Sequence, residues 1–247
     1  GVVHVLQGEF DQGLQHYQQS LQISHQSIQA HPEERYWYRH AALVYNNIGD
    51  LLEQQGKLDA ALQNYQDARV IYEKEIQATP DNASTQMSLA IAHENICSIA
   101  RTRGDWANAE KHCTIALDLY QKLAHLDAND TSRQHGLARM NIAQGLIKRS
   151  QGQIPEALAG LQAGVAIGEK LALINPDHVE WQHYLAWGIA QLGLMPENPV
   201  PPGTRTAMLK KAQDILRVQQ PKAPLPHWMK DLPDQLQRAL GASSPAG

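Results

Sequence analysis

Residues 55–65 read QGKLDAALQNY, and the same shape returns as QGEFDQGLQHY at 7–17, RGDWANAEKHC at 103–113 and QGQIPEALAGL at 151–161. The glycines they carry, Gly8, Gly56, Gly104 and Gly152, follow one another at a constant 48-residue interval. Pro32 and Pro80 share that interval, and Pro176 lies two intervals beyond Pro80. Marks of different kinds that keep one period identify tandem repeats. On both sides of each glycine, apolar residues recur at helical spacing, so one repeat is a pair of helices with the glycine ending the first.

Working outward from Gly56, the first helix is expected over about Glu33–Gln55, with Ala41, Val44, Tyr45, Ile48, Leu51 and Leu52 on its apolar side. The second is expected over Leu58–Ala78, with Ala61, Tyr65, Ala68 and Tyr72 inward, and Pro80 stops it. Residues 81–128 repeat the plan, with Trp106, Ala109, Cys113 and Ala116 facing inward. In the next repeat Gly160, Gly164 and Gly168 fit either close helix packing or local looseness. The fifth repeat runs from Val179 to Gly193, and the four prolines between Leu194 and Gly203 then predict a loop. A helix is expected from Thr204 to Gln219, and Trp228, Leu232, Leu236 and Leu240 are expected to cover the exposed end. The division is thus 1–193 tandem repeats with the first incomplete, 194–219 an irregular last repeat, 220–240 a C-terminal cap, and 241–247 a disordered tail.

Composition narrows the function classes. A net charge of −4, a pI of about 6.3 and the absence of any Lys/Arg run exclude an electrostatic pull toward nucleic acid. No apolar run is read as approaching a membrane span, so no membrane partner is expected. Two cysteines do not make a disulfide framework. No phosphate loop, nucleophile elbow, HExxH or paired-carboxylate context occurs, so the expectation is no enzyme, no cofactor and no metal. Val2–Gln7 aligns with Asp50–Gln55, the second half of a first helix, so the chain is expected to be a fragment of a longer protein. A cytoplasmic location is expected, with any targeting signal missing.

The small and aromatic residues that recur in phase are Tyr45, Gly49, Gly56, Ala61, Tyr65 and Ala68, then Cys97, Gly104, Ala109, Cys113 and Ala116, then Gly145, Gly152, Ala157, Leu161 and Gly164. This pattern resembles the tetratricopeptide repeat over residues 2–193, in a long 48-residue form similar to arrays in bacterial multidomain proteins. The resemblance implies an all-α, right-handed α-solenoid of antiparallel helix hairpins, with a concave face lined by first helices.

The resemblance also implies that this face holds a peptide or protein partner. The residues matched to it are Asn46, Asn47, Asp50, Glu94, Asn95, Arg101, Arg139 and Arg149, beside Leu43, Glu53 and Ile91. Arginine and asparagine can clamp a carboxylate, whereas the competing reading is a solvated face whose charges pair, as Glu53 with Arg101. A second cluster, His93, Cys97, His112 and Cys113, has metal-ligand residue types, but its spacing matches no zinc signature. Buried free thiols are the expectation there, a disulfide being improbable in a cytosolic protein. Tyr36, Trp37, Tyr38, Trp181, Tyr184 and Trp187 are read as core between repeats or as a partner hot spot. The expected function is a non-catalytic interaction scaffold. The alternatives are homo-oligomerisation through Val2, Val3, Val5 and Leu6, or a regulatory arm of an upstream domain.

Overall fold

The computed structural model describes residues 10–242, and every regular element in them is helical. The helices are α1 (Phe10–Ala30), α2 (Arg35–Gln54), α3 (Leu58–Ala78), α4 (Ala83–Thr102), α5 (Trp106–Leu126), α6 (Thr131–Ser150), α7 (Ile154–Ile174), α8 (Val179–Leu194), α9 (Pro202–Gln219) and α10 (Leu232–Ala242). A 3₁₀ turn, His227–Met229, precedes α10.

The 48-residue period is written into the helix ends. Gly56, Gly104 and Gly152 have φ of 73°, 71° and 75°, and nothing lies within 4 Å of where a Cβ would be. These glycines are there for the left-handed backbone, not for space. After Gly56, the amide of Lys57 donates to the Leu52 carbonyl at 2.9 Å and that of Gly56 to Glu53 at 2.9 Å. The same pair of bonds closes α4 at Gly104 and α6 at Gly152, which satisfies the last carbonyls of each helix. At the other end, Asn82, Asp130 and His178 cap α4, α6 and α8 by accepting from amides of the first turn.

The described residues form two compact units, divided between Leu119 and Tyr120. In the first, α1 packs on α2, α2 on α3 and α3 on α4. Its core joins Val44, Ile48 and Leu52 of α2 to Ala61 and Tyr65 of α3 and to Ile96 and Ile99 of α4. A second layer holds Ala42, Ala68, Tyr72, Leu89 and Ala92. Glu75, buried at the end of α3, is held by Arg35 at 3.1 Å and Arg39 at 3.2 Å. A buried carboxylate needs such partners.

In the second unit, α6 packs on α7, α7 on α8, and α8 on α9, and α10 closes against α8 and α9. Met229, Leu232 and Leu236 are buried in its core, with Trp228 and Leu240 at the margin. The glycines of α7 mark close packing, because a Cβ on Gly164 would sit 2.5 Å from Ile142 and one on Gly160 3.0 Å from the Asn141 carbonyl.

Several expectations are corrected. Cys97 and Cys113 are joined in a disulfide, with Cα atoms 5.3 Å apart, instead of being free thiols. They stand where α4 and α5 touch, the distance a disulfide needs. Trp106 does not face inward but is 40% exposed, as the first residue of its helix. α9 begins at Pro202, because proline suits a first helical position, where no N–H is needed. Gly241 and Ala242 belong to α10, and 243–247 lie outside the described residues. By length and composition α7 can cross a membrane, having a mean hydropathy of 1.4 over its best window. Here it packs between α6 and α8, and a third of that window is buried. Gly8, Val2, Val3, Val5 and Leu6 also lie outside the described residues.

Candidate functional site

On α2, Asn46, Asp50 and Glu53 fall at i, i+4 and i+7, which places them on one side of the helix. On α4, Glu94, Asn95 and Arg101 occupy the positions one repeat period after Asn46, Asn47 and Glu53. The structure brings these two stripes together. The Asn95 side-chain amide donates to Asp50 Oδ1 at 3.3 Å across the two helices. From α3, the Tyr65 hydroxyl reaches Asp50 Oδ1 at 2.8 Å and Glu53 Oε2 at 2.9 Å.

Tyr65 gets there because Gly49 lies beneath its ring. A Cβ at Gly49 would be 2.4 Å from Tyr65 Cε1. The phenol is therefore laid flat across α2, buried along its ring, with its oxygen delivered to the polar side. Its pKa is pushed far up, first by burial and then by the Asp50 and Glu53 carboxylates, so it stays a donor. Glu53 is also raised, chiefly by burial and further by Glu94, while the Tyr65 hydroxyl and Arg101 pull it down. Helical phase in the sequence places Asp50, Glu53 and Asn95 on this side, and marks Tyr65 only as core. The signal was present, since Gly49 and Tyr65 hold the positions one period before Cys97 and Cys113 and so mark the same crossing.

The remaining matched residues divide by depth and by unit. Asn46 is 6% exposed and Glu94 7%, so both lie deep, while Asn47 and Arg101 are half-buried and Asp50 is exposed. Asn46 Oδ1 is buried with no hydrogen-bond donor. Arg139 and Arg149 belong to the second unit. Arg139 pairs with Glu180 at 3.4 Å and lies over the Tyr184 ring at 5.5 Å, and Arg149 pairs with Glu197 at 3.8 Å. The clamp expected from these arginines therefore already has acidic occupants from its own unit. Trp181 and Trp187 are buried core, while Tyr36 is exposed.

The His/Cys cluster is a packed junction. His93 and His112 face each other through Nδ1 at 2.9 Å, and His93 Nε2 is 3.9 Å from Glu73. Burial, with neighbouring cations, pushes His93 down to about 3 and His112 to about 4, so the pair is neutral. The adjacent cysteines are oxidised and offer no thiolate. Among the described residues, no three His, Cys, Asp or Glu side chains converge to hold a metal ion.

The family model described as tetratricopeptide repeat matches residues 41–79, the span from Ala41 of α2 to the end of the α2–α3 hairpin. No curated protein matches the chain. Among solved structures, a thermophilic tetratricopeptide-repeat protein of Thermus thermophilus is similar, with 16% identity, 98% of this chain and 94% of that chain covered, and a TM-score of 0.44. BtubC from P. vanneervenii gives 11% identity, coverages of 96% and 94%, and a TM-score of 0.45. YrrB, described as a repeat protein with an unusual peptide-binding site, gives 18% identity, coverages of 78% and 92%, and a TM-score of 0.25. Likenesses at this level carry no residue role from one chain to another.

Proposed function

We propose that this chain, which carries a tetratricopeptide repeat at residues 41–79, is a non-catalytic interaction scaffold that takes a peptide or protein on the α2–α4 face of its first unit. The observation behind this reading is the hydrogen-bonded row Asn95–Asp50–Tyr65–Glu53, built over a glycine-seated tyrosine, with Asp50 at the exposed surface. A rigid polar row on packed helices orients a ligand with little loss of side-chain freedom. Leu43, exposed on α2, and Ile91 on α4 give the same face an apolar margin.

Panning a random peptide library on the chain tests the reading. Peptides selected on the native chain are expected to bind the Asp50→Ala/Asn95→Ala variant roughly tenfold more weakly by calorimetry. Equal binding to both, or no selected peptide, overturns it. The Cys97–Cys113 disulfide favours an oxidising compartment over the cytoplasm, where thiols are kept reduced. Mass spectrometry of alkylated protein from native cells checks this, and two alkylated thiols overturn it.

A further inference from the structure

Two asparagines of the chain are followed by a residue other than proline and then by a hydroxyl side chain: Asn82-Ala83-Ser84 and Asn129-Asp130-Thr131. This pattern marks acceptors of N-linked sugar on surface loops. Both stretches lie where the second helix of one repeat gives way to the first helix of the next, but the structure sets them apart. Asn82 is engaged, because its side chain accepts from the Thr85 amide at 3.0 Å and caps α4. One repeat period later the cap is Asp130, which accepts from the amides of Ser132 and Arg133 and pairs with Arg133 at 2.8 Å. Asn129, one position before it, is thereby released from capping. Its backbone N–H donates to Asp127 Oδ1 at 3.0 Å, which holds the turn, while its carboxamide takes part in no hydrogen bond among the described residues. The chain is exposed without a break from His125 to Asn129, and Thr131, the hydroxyl of the pattern, opens α6 half-buried. Independently of the pattern, the Cys97–Cys113 disulfide points to an oxidising compartment.

We infer that Asn129, on the turn between α5 and α6, is a glycosylation site, the acceptor of an oligosaccharide carried on a lipid diphosphate. This rests on the compartment proposed from the disulfide and names a modification made there. In the transfer, Asn129 Nδ2 forms a bond to the anomeric carbon of the first sugar. The bond from that carbon to the diphosphate oxygen breaks, and the lipid diphosphate leaves with the electron pair. The amide gives up one of its two protons to the transferase, and no group is oxidised or reduced. An acceptor has to enter the active site of another protein, and the exposed run ending at Asn129 allows this with the α6 cap left in place. Drawing out the Asn82 side chain would instead undo the cap of α4. The position has a further use for a sugar. Leu126, three residues ahead on the same exposed run, is 68% exposed, and a bulky, hydrated glycan shields such apolar surface from other chains.

The test is mass spectrometry of the protein purified from its native cells and digested with trypsin, which releases residues 123–133 with Asn129 as their one asparagine. That peptide is expected mainly as a glycopeptide that gives sugar ions on fragmentation. A peptide N-glycosidase in heavy-oxygen water should convert Asn129 into a labelled aspartate. Asn129→Gln and Thr131→Ala, expressed in the same cells, should each lose the sugar, while Thr131→Ser, which keeps the hydroxyl, should retain it. Asn82→Gln should leave the glycopeptide unchanged. Thermal melts identify any variant that has lost its fold, and Asn129→Gln, at an exposed position without a side-chain hydrogen bond, keeps the test decisive if Thr131→Ala unfolds. Recovery of residues 123–133 in unmodified form alone, a sugar at Asn82 with none at Asn129, or a modification that survives Thr131→Ala would each overturn the site. The same digest reads the cysteines. An unmodified peptide beside a Cys97–Cys113 cross-link sinks the glycan and leaves the compartment standing, whereas an unmodified peptide beside two alkylated thiols sinks both.

Discussion

Two hairpins of the first unit solve one packing problem in opposite ways. Where α2 crosses α3, Gly49 leaves a hollow and Tyr65 fills it. Where α4 crosses α5, one repeat later, Cys97 and Cys113 meet and are bonded. The second unit repeats the first solution with an aliphatic side chain: Gly145 lies against Leu161, and Gly193 against Leu209. What the crossing requires is a close approach of two backbones and a filled space, not one residue type. The consequences differ. The tyrosine carries a hydroxyl through the crossing and delivers it to an acidic face, while the disulfide delivers nothing and ties the hairpin shut.

The largest expected effect lies at the covalent crossing. Closing a loop of this length by a disulfide stabilises by about 3 kcal/mol. Reduction, or the Cys97→Ala/Cys113→Ala variant, should lower the denaturant midpoint accordingly, and a midpoint unmoved by reductant would remove the contrast between the hairpins. Next comes acid. His93 and His112, depressed to about 3 and about 4, are held neutral in the fold and bind protons more readily when unfolded. Their contribution is therefore present above the unfolded value of about 6.5 and is lost as pH falls toward 4, at about 1.4 kcal/mol per pH unit for each proton taken up on unfolding. A His93→Gln variant should flatten that loss in pH-dependent melts.

In the α2–α3 hairpin the sign is opposite. Glu53 is raised in the fold, so its contribution is present at low pH and is lost as pH rises through its folded value. Glu53→Gln should remove that part of the pH dependence, and a pH profile identical to that of the native chain would refute its burial. At the same hairpin, Gly49→Ala drives a methyl into the Tyr65 ring and should cost about 2 kcal/mol by urea unfolding. The smallest change, Tyr65→Phe, keeps the ring and deletes the hydroxyl. It should cost about 1 kcal/mol and weaken peptide binding at α2–α4, separating the packing role of the crossing from its polar one.

The repeat and the glycine and proline ends of its hairpins are legible in the sequence, because both residues act on backbone geometry within a few positions, whereas the start of α9 and the end of α10 are not. The α2–α4 face was legible in part. Asp50, Asn95 and Glu94 follow from helical phase, but their use does not. Arg139 and Arg149 had the same residue-level signal and turned out paired with Glu180 and Glu197, partners on other turns of the chain far along the sequence. Periodicity says which side of a helix a residue occupies and nothing about which charge meets it.

The sequence by itself determined an all-helical chain of 48-residue hairpins, since each hairpin is specified locally by its apolar stripe, its left-handed glycine and its caps. Only the tertiary structure decided that the two cysteines bond and that the tyrosine hydroxyl reaches two carboxylates. It also decided which arginines are already paired and that the Asn46 side-chain Oδ1 is buried without a donor. Those outcomes depend on distances between side chains of different helices, set by how closely the backbones approach. The physical reason is that helix formation is governed by neighbours in the chain, whereas charge pairing, burial and covalent closure are governed by neighbours in space.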